Sequence, residues 1–265
     1  MPFAWKLKPS SAGALLGYNK YKTRNQALAE AWREKKPAQF KFVMKALRAS
    51  ATKEDKAKTA IRTSDAMQEA IQVGVCSGSR KGRAVAMDNI KLVAYAGVQT
   101  RSRRQVADNI VNQARSEMYK ANGIRREDSG IQRSAKKQKK TFEAGNKKFY
   151  KLDLPGSPHA GVMWGLIDGF DHESGTIIEH KQRQNRIFRT IPRYERTQCF
   201  IYMKMLGVKR VQLIQTFEDE QREDMIYWDP DEWRAIHEGL VTCIEDLNRT
   251  QRDGAWRKTL VKSLL

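Results

Sequence analysis

Long apolar runs are missing from the 265-residue chain: none approaches the ~18 residues of a membrane span, so a helical membrane protein is excluded and no membrane partner is expected. The opening Met-Pro-Phe-Ala-Trp-Lys has no apolar signal-peptide core, and the expectation is an intracellular protein. Cysteine is scarce. Cys76, Cys199 and Cys243 stand far apart, which excludes a disulfide framework and offers no metal-ligand spacing. Four scattered histidines (His159, His172, His180 and His237) give no zinc motif. No internal repeat is present, which argues against a solenoid. Acidic residues fall well short of the basic ones, 30 Asp and Glu against 50 Lys and Arg, and the net charge is +20.

That charge is unevenly placed. Residues 1–150 carry 33 Lys and Arg against 12 Asp and Glu, whereas residues 151–265 carry 17 against 18. A half this basic binds polyanions, mainly through phosphate contacts that salt weakens. The length suits a single domain spanning 1–265. Within it, 1–120 reads as a basic, mostly helical N-terminal part and 121–250 as the core that carries the candidate chemistry.

The first elements read as helical. Ser10 is expected to cap a short turn through Leu15 and Leu16, stopped by Gly17. Thr23 and Gln26 form a capping-box pattern for a helix to about Lys35, with Ala27, Leu28, Ala31 and Trp32 as its apolar stripe. Helical periods follow over 40–47, 57–73 and 106–119, and the basic stretch from Cys76 to Arg83 reads as a flexible loop. Glu127 is expected at the start of a further helix, with Lys136 to Lys140 as a solvated basic face. Lys147 to Tyr150 leads into an extended segment. Near the C-terminus, 208–217 and 225–228 read as strands joined by an acidic turn over 218–224. Asp229 with Pro230 caps a last helix to about Leu247, beyond which the basic tail from Arg249 is expected to fray or pack loosely.

The most informative stretch runs from Gly161 to Tyr202. Gly161–Phe170 and Thr176–Lys181 are apolar, β-branched or aromatic, and five residues ending in Gly175 join them, which predicts a β-hairpin. Alternation puts Ile177, Glu179 and Lys181 on one face, with Ile178 and His180 on the other. Asp168, near the end of the partner strand, is placed to reach the Glu179 side. Two carboxylates and an ammonium then converge where a strand should be hydrophobic, a cost tolerated when a cation or substrate satisfies the charges. After Pro192 a helix carries Gln198 and Tyr202 four residues apart, on one face, and ends at Gly207. The order of elements suggests an α/β fold, a mixed central sheet flanked by helices.

Asp168 followed after ten residues by Glu179-His180-Lys181 resembles the core of the P-D-(D/E)-x-K nuclease superfamily. The trailing Gln198 and Tyr202 are similar to the extra motif of its RecB-like, lambda-exonuclease-like branch (YqaJ, viral recombinase). Gly123-Ile-Arg-Arg-Glu127 resembles that branch's helix-borne Glu, and Ser11 to Gly17 its N-terminal Ser-containing segment. Ile167 stands where the superfamily has Pro, and only Lys6 and Lys8 precede Ser11 where an arginine would complete a 5′-phosphate pocket. The triplet alone is a short pattern; the hairpin, the helix and the Gln/Tyr pair give it context.

The resemblance implies a restriction-endonuclease-like sheet and a metal-dependent deoxyribonuclease. Asp168, Glu179 and the His180 carbonyl would hold Mg²⁺ or Mn²⁺ through hard oxygens, with Glu127 as a third acid. Lys181 would act at the scissile phosphate, and Gln198 and Tyr202 would fix the nucleophile side or the DNA backbone. Ser11, Arg183 and Arg186 are the candidate phosphate contacts. It further implies an exonuclease of recombination or repair, of a viral or phage kind, working on linear duplex DNA ends as a homo-oligomer or beside a single-strand-annealing partner. The rival reading is a non-catalytic, basic nucleic-acid-binding protein whose nuclease-like core is degenerate; the intact Asp, Glu and Lys speak against it.

Overall fold

The structure is a computed structural model and describes residues 4–47, 49, 51–77, 79–144 and 148–265. Gly78, in the basic stretch expected to be a loop, and Lys147, ahead of the extended segment, lie outside them.

The chain opens with β1 (Trp5–Leu7), α1 (Pro9–Leu15), α2 (Arg24–Lys35) and α3 (Pro37–Ala46). Pro9 starts α1 as its first helical residue, and Lys8, not Ser10, is the N-cap; the Ser11 hydroxyl donates to the Lys8 carbonyl at 2.7 Å. The capping box of α2 forms as expected, Gln26 N–H donating to Thr23 Oγ1 and Thr23 N–H to Gln26 Oε1. Next come α4 (Lys53–Arg62), α5 (Asp65–Cys76), α6 (Arg80–Tyr95) and α7 (Arg101–Gln138). The helix expected over 57–73 is two helices, because Ser64 accepts from Met67 N–H and starts a new one. The stretch from Cys76 to Arg83 expected as a loop is helical at both ends, since Cys76 closes α5 and Ser79 accepts from Gly82 N–H and caps α6. α7 is a single 38-residue helix, about 57 Å long. Glu127 therefore lies deep inside a helix, not in a first turn.

The remaining elements are β2 (Glu143–Ala144), β3 (Tyr150–Leu154), β4 (Gly161–Gly165), β5 (Gly169–Asp171), β6 (Thr176–Gln182), α8 (Arg193–Leu206), β7 (Arg210–Phe217), β8 (Glu220–Tyr227), α9 (Pro230–Arg249) and α10 (Gly254–Lys262). The acidic run expected as a turn is mostly strand. Only Glu218, at φ 51°, and Asp219 turn the chain, and the acids of β8 find partners: Glu223 accepts from Ser134 and Gln212, Asp224 from Gln215 and Arg222. The tail does not fray. Asp253 caps α10 by accepting from Trp256 N–H, and Leu260 and Val261 are fully buried.

The protein is α/β, with two mixed sheets and flanking helices. β3 and β1 flank β4 in a three-stranded sheet, and a five-stranded sheet has the order β2-β5-β6-β7-β8. β6 and β7 are parallel, with Glu179 opposite Leu213. The strand expected over Gly161–Phe170 is divided: β4 pairs with β1 and β3, while β5 pairs with β6. Residues 166–168 carry the chain from one sheet to the other.

The apolar core falls into separate clusters. The largest joins Trp5, Leu28, Trp32, Ile177, Phe200, Leu213 and Leu240, so β1, α1 and α2 belong with α8, α9 and the sheets. A second, purely helical cluster gathers Ile61, Met67, Ala86, Ile90, Val111 and Met118 from α4 to α7. A third places Ile131 of α7 on Ile178 and Ile214. β6 is thus covered on both faces, by α8 on the Ile177 side and by α7 on the Ile178 side. At Gly130 the two come so close that a methyl group would stand 2.1 Å from His180 Nε2. Among the described residues no helix is long and apolar enough to cross a membrane.

Candidate active site

The site forms where the chain leaves one sheet for the other. Because β5 begins only at Gly169, the main-chain N–H of His180 has no strand partner on that side. The Asp168 carboxylate takes that place and accepts the hydrogen bond at 2.8 Å. This fixes Asp168 against the middle of β6, one residue from Glu179.

Glu179 is 1 % exposed. Its Oε1 accepts from Lys181 Nζ at 2.5 Å and from Gln198 Nε2 at 2.9 Å. Its Oε2 is buried and has no hydrogen-bond partner among the described residues. A buried carboxylate oxygen left this way is costly, by about 1–3 kcal/mol or more for a charged group. Gln198 completes a ring: its Oε1 accepts from Lys181 at 3.4 Å and its Nε2 reaches Tyr202 Oη at 3.3 Å. The i, i+4 spacing of Gln198 and Tyr202 on α8 does what the sequence predicts, presenting both to the Glu179 face of β6.

The electrostatics follow from burial. Burial, then the Glu179 charge, pushes the Asp168 carboxyl well above its usual range, and the Glu127 charge adds to the effect. Burial likewise raises Glu179, against the pull of Lys181, and Glu127 again adds to it. Burial works against the Lys181 ammonium, but Glu179 and Asp168 more than offset it, so its pKa rises and it stays charged. Burial, then Glu179, raises the Tyr202 phenol, which stays protonated and is no base at neutral pH. With both carboxyls ionised, Asp168 and Glu179 against Lys181 leave one excess negative charge, and both carboxyls are raised toward the protonated form.

Glu127 thus acts on both carboxylates from α7, although it sits in mid-helix. His180 divides: its main chain joins Asp168, while its imidazole points the other way, between Gly130 and Thr216 Oγ1 at 3.1 Å. Burial, with Lys181 and Arg183, lowers that imidazole to about 4, so the ring is neutral. Arg183 is not a surface phosphate contact. It is 7 % exposed, pairs with both oxygens of Glu195 at 2.6 and 2.7 Å, and donates to Gln215 Oε1. That ion pair ties the end of β6 to the first turn of α8 and so sets Gln198 beside Glu179. Arg186 is exposed, on the far side of this pair, beside a cavity with Phe188 and Glu220. Ser11 lies in α1, whose Pro9 packs on Gly165 next to Tyr202, with its hydroxyl committed to Lys8. Gln215 and Glu195, which hold Arg183, were not legible in the sequence.

Hard oxygen donors of this kind suit a divalent cation. Glu179 Oε2 fits such an ion, being a buried acceptor without a hydrogen-bond partner among the described residues. Among the described residues, no group of three or more His, Cys, Asp and Glu side chains is placed to hold a metal ion by itself.

No protein-family model matches the chain, and no curated protein matches it either. Two solved structures are similar in outline. One, a protein named SSO0001, is 15 % identical, with a TM-score of 0.39, over 63 % of this chain and 85 % of its own. The other is an alkaline exonuclease, LHK-Exo, from Laribacter hongkongensis, 13 % identical, with a TM-score of 0.37, over 62 % of this chain and 90 % of its own. Neither likeness is close enough to carry chemistry over to this chain.

Proposed function

We propose that the protein is a divalent-metal-dependent deoxyribonuclease of the P-D-(D/E)-x-K type. The observation that carries this is Glu179: a fully buried carboxylate, one oxygen held by Lys181 and Gln198 and the other without a hydrogen-bond partner among the described residues, beside a second, half-buried carboxyl, Asp168. Asp168, Glu179 and the His180 carbonyl would hold Mg²⁺ or Mn²⁺, with Glu127 adding charge from α7. The bound cation supplies Lewis-acid polarisation of a phosphate oxygen. Lys181, held protonated, balances charge that builds on the phosphate in the transition state. Gln198 keeps Lys181 and Glu179 in register and donates to the hydroxyl of Tyr202, which stays protonated. Digestion from linear duplex ends, in recombination or repair, belongs to this reading through the motif resemblance.

The test combines cleavage with melting. Wild-type protein should release nucleotides from linear duplex DNA only with Mg²⁺ or Mn²⁺, and the cation should raise its melting temperature by binding linkage. Asp168→Asn removes one of two repelling charges, so the cation-free variant should be as stable as wild type or more so. It should lose cleavage and most of the cation-dependent shift. An equal shift in both proteins places the cation elsewhere and sinks the reading.

A further inference from the structure

A second feature lies beside the carboxylates and is not used by them. A pocket of about 600 Å³ opens between α7 and the C-terminal ends of β6 and β7. α7 lines it with Arg125, Arg126 and Arg133, and Gln182 closes the strand side. Arg126 and Arg133 are seven residues apart, two turns along one face of the helix. Near them is Arg83, 5 % exposed, whose Nη1 is buried without a hydrogen-bond partner among the described residues. The charges of Arg83, Arg125 and Arg133 all bear on Arg126. Among the described residues, Arg83, Arg125 and Arg133 form no ion pair; Arg125 reaches only the Val75 carbonyl.

Three guanidiniums on one wall of the cavity, with the buried charge of Arg83 acting on one of them, favour an anion there. Glu218 and Asp219 stand on the opposite rim, so an anion must seat against α7. Ser79, the N-cap of the 16-residue α6, adds the positive end of a helix dipole to the same wall. The position matters as much as the charge. Arg126 immediately precedes Glu127, whose charge bears on Asp168 and Glu179, and the pocket's Gly130 and Thr216 enclose the His180 ring, one residue from Glu179 on the opposite face of β6.

We propose that this pocket is a phosphate subsite, taking a backbone phosphodiester of the nucleic-acid strand whose neighbouring linkage lies at Asp168 and Glu179. The proposal rests on reading those carboxylates as a nuclease site. It assigns the gripping role to α7, not to Arg183.

The test uses the full chain without divalent cation, so that no cleavage intervenes. Binding of a fluorescent single-stranded oligonucleotide is measured by anisotropy at several salt concentrations. The proteins are wild type, Arg125→Gln/Arg133→Gln, and the control Arg101→Gln/Arg103→Gln at the distant start of α7. All four substituted residues are exposed, so both variants should fold. The pocket variant should bind at least ~10-fold more weakly, with a salt slope shallower by between one and two. The control should stay within about threefold of wild type. Equal losses in both variants, or none in the pocket variant, overturn the proposal, because the basic surface is then undifferentiated. Inorganic phosphate is the second probe, read by melting temperature. If it stabilises wild type while the oligonucleotide binds all three proteins equally, the pocket takes a free anion and the strand assignment falls. If pocket-dependent binding holds but no cation supports cleavage, the subsite stands and the nuclease reading fails.

Discussion

The two oxygens of Glu179 have opposite surroundings, and the difference defines what Lys181 can do. Lys181 donates to Oε1 and is held charged by two carboxylates, so it cannot take a proton at neutral pH. Its use is electrostatic. Lys181→Ala is expected to lower kcat for DNA cleavage by at least ~10²-fold, a common size for losing one such stabiliser, with little change in DNA affinity. A folded variant that cleaves at near the wild-type rate removes the lysine from the mechanism. Asp168, Glu179, Lys181, Gln198 and Tyr202 were legible as a set because strand alternation and helix spacing act over a few residues. Arg183 was misjudged for the opposite reason. Its partner, Glu195, sits twelve residues on in another element, and only packing brings them together. The arginines of α7 were passed over because the helix was read as ending near Tyr119; carried through, the seven-residue spacing of Arg126 and Arg133 would have marked one face.

Elements were most legible where a cap or stop is written in neighbouring residues, as in α2, α8 and the start of α9. They were least legible where a helix continues through polar sequence, as α7 does past Gly123, and where acids find partners in other elements, as in β8. The β5–β6 turn shows how local chemistry stabilises such a junction. Asp171 is 2 % exposed and accepts from Ser174 Oγ at 2.6 Å, from Glu173 and Ser174 N–H, and from Lys140 Nζ at 2.9 Å at the end of α7. Burial works against its charge, but the Ser174 and Lys140 contacts prevail and hold its carboxyl at about 2. A depressed folded-state pKa contributes stability that is present above the unfolded value near 4 and lost as pH falls toward 2. Asp171→Asn should therefore lower stability at pH 7 by about 1–2 kcal/mol. The gap between the two proteins should close between pH 4 and pH 2 in denaturant titrations. A gap that stays constant across that range means the carboxylate charge is not what matters.

At the scale of the molecule, the basic half of the sequence does not correspond to one body. β1 and α1 to α3 complete the core around the sheets, while α4 to α6 pack on the first half of α7. Composition could show the charge imbalance but not this division, because the apolar stripes of α2 and α5 look alike until their partners are known. α7 belongs to both parts. Its residues through Met118 are buried among α5 and α6, and from Gly130 to Ser134 it lies on β6 and β8. One continuous helix therefore takes part in two separate apolar clusters, which should behave as separate cooperative units. Amide hydrogen exchange is expected to reveal them: the first half of α7 should open together with α4 to α6, and the half carrying Glu127 and Gly130 together with β6. A single protection class along all of α7 would contradict this. Where the units differ in opening free energy, the seam falls between Met118 and Gly130, so Glu127 sits at the boundary where the less stable unit unravels first.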